Sequence, residues 1–337
     1  MEVETMRLDI HRLAAAAILL AATAAFAAEP AASNPFFSKS PLQYETPQFD
    51  RIHDSDYGPA IEEGMKQQIA EIDAIANDPA PPTFENTLVA MEKSGQLLTR
   101  VAKVFFNLTQ SNTDEAMQKV RADEAPKLAA HQDAIFLNPK LWARVKTLWD
   151  KRAALGLDPE SAYLLERYYK SFVRAGAQLG DADKDKLRAW NAEEATLSTK
   201  FADNLLAGVK GASIVISDRR ELAGLPDNEV ASAAARAKDR GLDGKWVIDL
   251  QNTTQQPVLT YLTDRAVRQR ILAASEARGD SGGPTDQRAI VERLAQLRAD
   301  RCCQVLHVLH LDEHRLLGRG HPDAHRLQRP LDARTHD

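Results

Sequence analysis

Cysteine is nearly absent. The 337 residues hold two, Cys302 and Cys303, and they are neighbours. Adjacent cysteines cannot make an unstrained bridge, so no disulfide framework holds this chain and stability must come from packing. Aromatic residues are also sparse, at 6%, and Gly and Pro number 16 each. That combination, with Ala and Leu abundant, favours helices over sheets. Charge of one sign is lacking too: 43 Lys and Arg against 48 Asp and Glu give a net charge of −5. Nucleic acid and anionic membrane surfaces are therefore not expected partners. No repeat of fixed period is visible.

Long apolar runs are missing apart from one. Leu13–Phe26 is apolar, follows Arg7 and Arg12, and leads into Ala25-Phe26-Ala27. Basic residues, a short apolar run and small residues in that order spell a secretory signal peptide over 1–27, with cleavage after Ala27. Met6 is the better start, since the five residues before it carry two acids. The competing reading is a buried N-terminal helix. The run is too short to span a bilayer comfortably. The mature chain is expected to be exported, a bacterial periplasm being the natural compartment, with no membrane contact after cleavage.

Residues 28–48 are rich in Pro and Ser and should run extended over a surface, anchored by Phe36, Phe37 and Tyr44. Helical periodicity follows. Ile61, Met65, Ile69, Ile72 and Ile75 form one stripe, opened by Pro59 at a first-turn position. Leu88, Met91, Leu98, Val101 and Phe105 form the next. Asp114 can cap a third helix carrying Met117, Val120 and Leu128. Asp158-Pro159-Glu160 joins a cap residue, a pre-set φ and an acid at the positive end of the helix dipole. In "DADKDKLRAWNAEEATLSTKFADNLLAG", Leu187, Trp190, Glu194, Leu197, Phe201 and Leu205 recur at spacings of three and four. One face should pack, with Glu194 the odd member and Gly208 a natural stop. "ASIVIS" (212–217) and "KWVIDL" (245–250) flank a helix ending at Gly241 and can pair as a small ribbon. Helix resumes after Pro257, and again over 288–300 with Ile290, Leu294 and Leu297 on one stripe.

Near residue 300 the character changes. Residues 301–337 contain six of the nine histidines and both cysteines, with no Lys, Phe, Tyr or Trp. They hold too little bulky apolar material for a core. This is the composition that a shifted reading frame of a GC-rich gene produces. Residues 301–337 are accordingly read as an aberrant or disordered tail on a helical domain of residues 49–300.

Within the tail, "HLDEH" spells the inverted zinc-peptidase motif. On a helix, His307, His310 and His314 would share a face. His310 and His314 could ligate zinc, Glu313 could act as base, and Cys302, His321 or His325 could supply a further ligand. Two alternatives compete: a non-catalytic His/Cys metal binder, and an accidental spelling in a His-rich tail. The accidental spelling is preferred, because a catalytic site needs ligands held rigidly and this tail offers little to hold them. No catalytic, cofactor-binding or metal-ligating residue is therefore assigned.

Six blocks carry a family resemblance: "NPFF" (34–37), "FDRIHDSDYGPAIEEGM" (49–65), "FENTLVAMEKSGQLLTRVAKVFFNL" (84–108), "ADKDKLRAWNAEEATLSTKF" (182–201), "KWVIDLQNTTQQPVL" (245–259) and "RAIVERLAQLRA" (288–299). In this order and spacing, residues 34–300 resemble the N-terminal part of the thimet oligopeptidase and bacterial peptidyl-dipeptidase family of zinc metallopeptidases. The peptidyl-dipeptidase branch is the nearest. The resemblance implies a mainly α, clam-like fold with a channel between two halves. The implied reaction releases dipeptides from the C-terminus of oligopeptides. Zinc is the family cofactor, bound by an H-E-x-x-H helix, and this chain contains no H-E-x-x-H. The implied chain lacks the catalytic half, should be inactive alone, and binds no zinc of its own. Its partners would be oligopeptides and a missing C-terminal half. The channel wall would come partly from helices over 181–207 and 257–299. A helical module that grips peptides without cleaving them is the alternative.

Overall fold

The computed structural model describes residues 34–317, with side chains to residue 304. The expected signal peptide, residues 1–27, lies outside the described residues, as do His321 and His325. The fold is mainly α, as expected. Its helices are α1 (Asp54–Ala76), α2 (Ala90–Lys93), α3 (Gln96–Ser111), α4 (Glu115–Phe136), α5 (Pro139–Asp150), α6 (Pro159–Ala175), α7 (Asp181–Gly211), α8 (Asp227–Asp239), α9 (Asn252–Tyr261), α10 (Arg265–Glu276) and α11 (Arg288–Leu317). Strands β1 (Ile214–Ile216) and β2 (Trp246–Ile248) pair antiparallel, Ile214 with Ile248 and Ile216 with Trp246. This is the small ribbon expected from the two β-prone runs. No helix among the described residues is long and apolar enough to cross a membrane.

Capping residues start the helices where the sequence signals them. The Asp114 carboxylate accepts from the Met117 amide at 2.8 Å, and Asp158 from Glu160 and Ser161 at 2.9 and 3.0 Å. Each bond satisfies a first-turn N–H that has no partner inside the helix. His53 and Asp56 form a reciprocal pair that starts α1 five residues ahead of Pro59. Pro59 is thus an interior residue, not a first-turn one. The second expected stripe is also two pieces. A π-turn over Glu85–Val89 runs into α2, and the chain breaks at Gly95, whose φ of +69° only glycine adopts readily. The Gly95 amide donates to Glu71 at 2.7 Å, which fixes the break against α1. Helix begins at Asn252 rather than after Pro257, and it ends at Tyr261. Asp264 then caps a separate α10. Gly208 does not stop α7, which runs on to Gly211. An interior glycine costs only about 1 kcal/mol, which the packing of a long helix can override.

Of the three expected N-terminal anchors only Phe36 is buried. It sits against Tyr57, with ring centroids 5.4 Å apart. Phe37 is 51% exposed and Tyr44 91% exposed. Phe36 lies in a 3-10 turn (Pro35–Phe37), where successive side chains diverge by a third of a turn, so its neighbour points outward. Tyr44 has φ +58° in a second turn, Gln43–Glu45, none of whose residues is buried.

Two cores form in the N-terminal region and one beyond it. Phe36, Tyr57, Ile61, Val101, Phe105 and Met117 join α1, α3 and α4. Ile72, Leu88, Leu141, Leu148, Leu165 and Phe172 join α1, α5 and α6. The third lies under the ribbon, with Ile216, Ile248, Val230, Val258 and Ile271. Within the N-terminal region, Arg144 of α5 is nearly buried. It donates to the carbonyls of Asp78 and Ala80 at 2.9 and 3.1 Å and to Asn86 Oδ1 at 2.9 Å. One side chain thus holds the α1–α2 connection.

α1 and α3 approach closely at Gly64. A Cβ there would lie 2.8 Å from the Leu98 backbone. Backbone cannot step aside as a side-chain tip can. Gly64→Ala should therefore cost about 1–3 kcal/mol, read by urea denaturation. An unchanged midpoint would show that the two helices can separate freely.

Candidate functional site

α7 is the axis of the candidate site. It packs on both α4 and α11. Where the three meet the end of α6, they leave an open cleft of about 370 Å³, lined among others by Ala129, Asp133, Asn191, Glu194, Ser198 and Arg301. This lies in the first of the two helical regions expected to form a channel wall.

Glu194, the odd polar member of the apolar stripe, now has a reason. Its carboxylate accepts from Arg298 at 3.1 Å and from Arg301, both on α11. One position earlier, Glu193 takes both nitrogens of Arg293 at 2.7 Å. Bidentate pairing of this kind fixes orientation as well as charge. These pairs set the register of α11 along α7. Arg121 of α4 likewise meets Asp203 of α7.

Asp133 forms the floor. It is 6% exposed, and one carboxylate oxygen accepts from Asn191 Nδ2 at 2.6 Å. Its other oxygen, and Asn191 Oδ1, are buried without a partner among the described residues. Burial raises the Asp133 carboxyl above the ordinary carboxylate value, while the Asn191 bond and the Arg188 and Arg301 charges pull it down. Two residues away, buried His131 faces Gln68 at 2.7 Å. Burial lowers its imidazole below the usual value. His131 thus bonds to an amide, not to a nucleophile. Glu194 is clamped by Arg298 and Arg301. The cleft offers two carboxyl groups, the amides of Gln132 and Asn191, the Ser198 hydroxyl, one guanidinium and small apolar residues. That equips it for packing or binding.

Beyond the cleft α7 is poorly covered. Trp190, Leu197 and Phe201 are half-buried, and Leu205 and Leu206 are 42% and 47% exposed. The expected packing face is therefore complete only near Leu187.

The motif residues His310, Glu313 and His314 lie on the backbone of α11, which continues helically to Leu317, just before Gly318. The helix is already running when it reaches the compositional change, so it needs no new cap there. The side chains of His307, His310, Glu313 and His314 lie outside the described residues. Cys302 and Cys303 are exposed free thiols. Among the described residues, no three His, Cys, Asp or Glu side chains are grouped to hold a metal ion.

No protein-family model matches the chain. Individual proteins do. Over 268 residues it is 45% identical to the dipeptidyl carboxypeptidase of Escherichia coli (strain K12), covering 80% of this chain and 39% of that protein. The dipeptidyl carboxypeptidase of Salmonella typhimurium (strain LT2) is 45% identical over 270 residues, with the same coverage. Oligopeptidase A of Escherichia coli is 21% identical over 259 residues, covering 76% of this chain and 38% of that protein. The chain thus spans about two fifths of the length of the curated relatives it matches.

Proposed function

Because the chain is a homologue of dipeptidyl carboxypeptidases and oligopeptidases A, consistent with their N-terminal part, we propose that it forms the peptide-confining part of such a peptidase. The observation that carries this reading is the 45% identity over 268 residues. In it, α7 and the helices after it wall a channel for extended oligopeptides. The half-exposed apolar face of α7 supports the assignment, since such a face suits either a peptide or a further part of the enzyme. The reaction served is release of dipeptides from oligopeptide C-termini. Export, on the strength of residues 7–27, belongs to the same proposal.

Zinc is the metal that this chemistry uses, to activate water for attack on the peptide carbonyl. The described residues do not fit it. Among the residues whose side chains are described, the histidines are His53 and His131, far apart in sequence. His131 is buried against Gln68, and neither belongs to a group of donors. No step is therefore routed through a metal on the described side chains, and hydrolysis is assigned to residues other than these. The alternative of a module that grips peptides without cleaving them predicts the same binding.

Calorimetry with a mixed set of oligopeptides, beside a dipeptide-release assay with and without chelator, tests the proposal. Binding without turnover is expected. Robust chelator-sensitive turnover by the pure chain would sink the assignment of chemistry elsewhere, and absence of any peptide binding would sink the confining role.

A further inference from the structure

The floor of the cleft holds an unbalanced pair. Asp133 on α4 and Asn191 on α7 share one hydrogen bond, Asn191 Nδ2–H to Asp133 Oδ1 at 2.6 Å. The atoms left over are Asp133 Oδ2 and Asn191 Oδ1, both acceptors and both buried. Two buried acceptors without a donor are costly, each about 1–3 kcal/mol. A carboxyl and a primary amide joined by one N–H···O bond can close into a ring when the second carboxyl oxygen carries a proton and turns to the amide oxygen.

We propose that Asp133 and Asn191 form a proton-held latch between α4 and α7, in which neutral Asp133 donates Oδ2–H to Asn191 Oδ1. One proton then satisfies both leftover atoms. The charged groups around Asp133 are Arg188 and Arg301, and Glu194 shares the cleft, while α6 contributes the uncharged Ala175. Arg301 is already drawn to Glu194 and Arg188 to Asp185. Both charges still pull the Asp133 carboxyl down, but neither arginine pairs with it directly, and desolvation is the largest influence on it. When the proton leaves, the ring opens. Arg301 then has a second carboxylate near it, and α4 is left tied to α7 at this point by the Asn191 N–H bond alone. The latch is firm in acid and slackens as pH rises, whatever the peptidase reading proves to be.

The sign of a pH series decides the matter. A carboxyl whose folded value is raised stabilises below its unfolded value near 3.8, and that stabilisation fades as pH rises through the folded value. Asp133→Asn keeps the shape and cannot ionise. The melting temperature of Asp133→Asn minus that of the wild type should therefore increase as pH rises above about 4. A difference that decreases with pH would mean an ionised Asp133 held by the arginines, and would overturn the latch. Assigned carboxyl-carbon NMR of the wild-type full chain gives the same answer without a variant. Titration of Asp133 above 3.8 supports the proposal, and titration at or below it refutes it.

Discussion

Replacing Arg144 with alanine is expected to destabilise the protein by about 3–5 kcal/mol, the range for breaking a buried, hydrogen-bonded charge arrangement. The guanidinium is nearly buried and reaches two main-chain carbonyls, of Asp78 and Ala80, together with Asn86 and Thr87. Alanine removes the one side chain that ties these acceptors together, although Asn86 Oδ1 keeps its bonds from the Thr83 amide and the Thr87 hydroxyl. It also strips a salt bridge from Asp78, at 3.4 Å. The melting temperature should drop by roughly 4–7 °C for a chain of this size, at an unfolding entropy of about 2.1 cal/mol/K per residue. Arg144→Lys should recover little. A lysine brings a point charge, whereas the site uses a planar fork aimed in several directions. Differential scanning calorimetry of both variants is the check. A loss under about 1 kcal/mol, the range of exposed pairs, would mean that water replaces the side chain.

Phe172→Ala should cost a comparable amount, about 3–5 kcal/mol. Phe172 is fully buried, with Phe136 at 5.0 Å and Trp142 at 6.0 Å between ring centroids. Removing the ring forfeits its transfer energy and leaves a cavity among Leu141, Leu165 and Ala177, which the helices cannot fully close. The effect should reach the cleft as well. Ala175, one turn along α6, lines it. Phe172→Leu keeps much of the volume and should lose clearly less. Urea denaturation separates the two, and equal losses for Leu and Ala would show that the aromatic contacts rather than the volume carry the stability.

Much of this architecture is written locally. Asp114 and Asp158 announce their helices because a cap bond spans two or three residues. The ribbon announces itself through two β-branched runs. The misjudged points share one cause, which is distance. Gly95 breaks a helix because Glu71 and Gln68, more than twenty residues away, fix its backbone. Leu262 ends α9 where Thr263 donates to the carbonyl of Ala223. Glu194 looked like a flaw in an apolar stripe because its arginines lie about a hundred positions later. The Asp133–Asn191 pair, 58 positions apart, left no sign that a single sequence could show. Phe37 and Tyr44 failed as anchors for the opposite reason. Aromatic character says that a side chain would benefit from burial, but not that the turn will aim it inward.

The order of the cores has a bearing on how the chain is made. Every member of the first two lies between Phe36 and Ala177, and every buried member of the third between Ile216 and Ile271. No core waits for a residue from the other side of α7. A ribosome that has released the first 180 or so residues has thus released everything the first two cores require. Such sequence-local contacts favour rapid folding, and domains commonly fold as units during synthesis. The N-terminal cores should therefore consolidate before the ribbon emerges. α7 would then be laid against an already folded α4, with α11 added last along its arginine ladder.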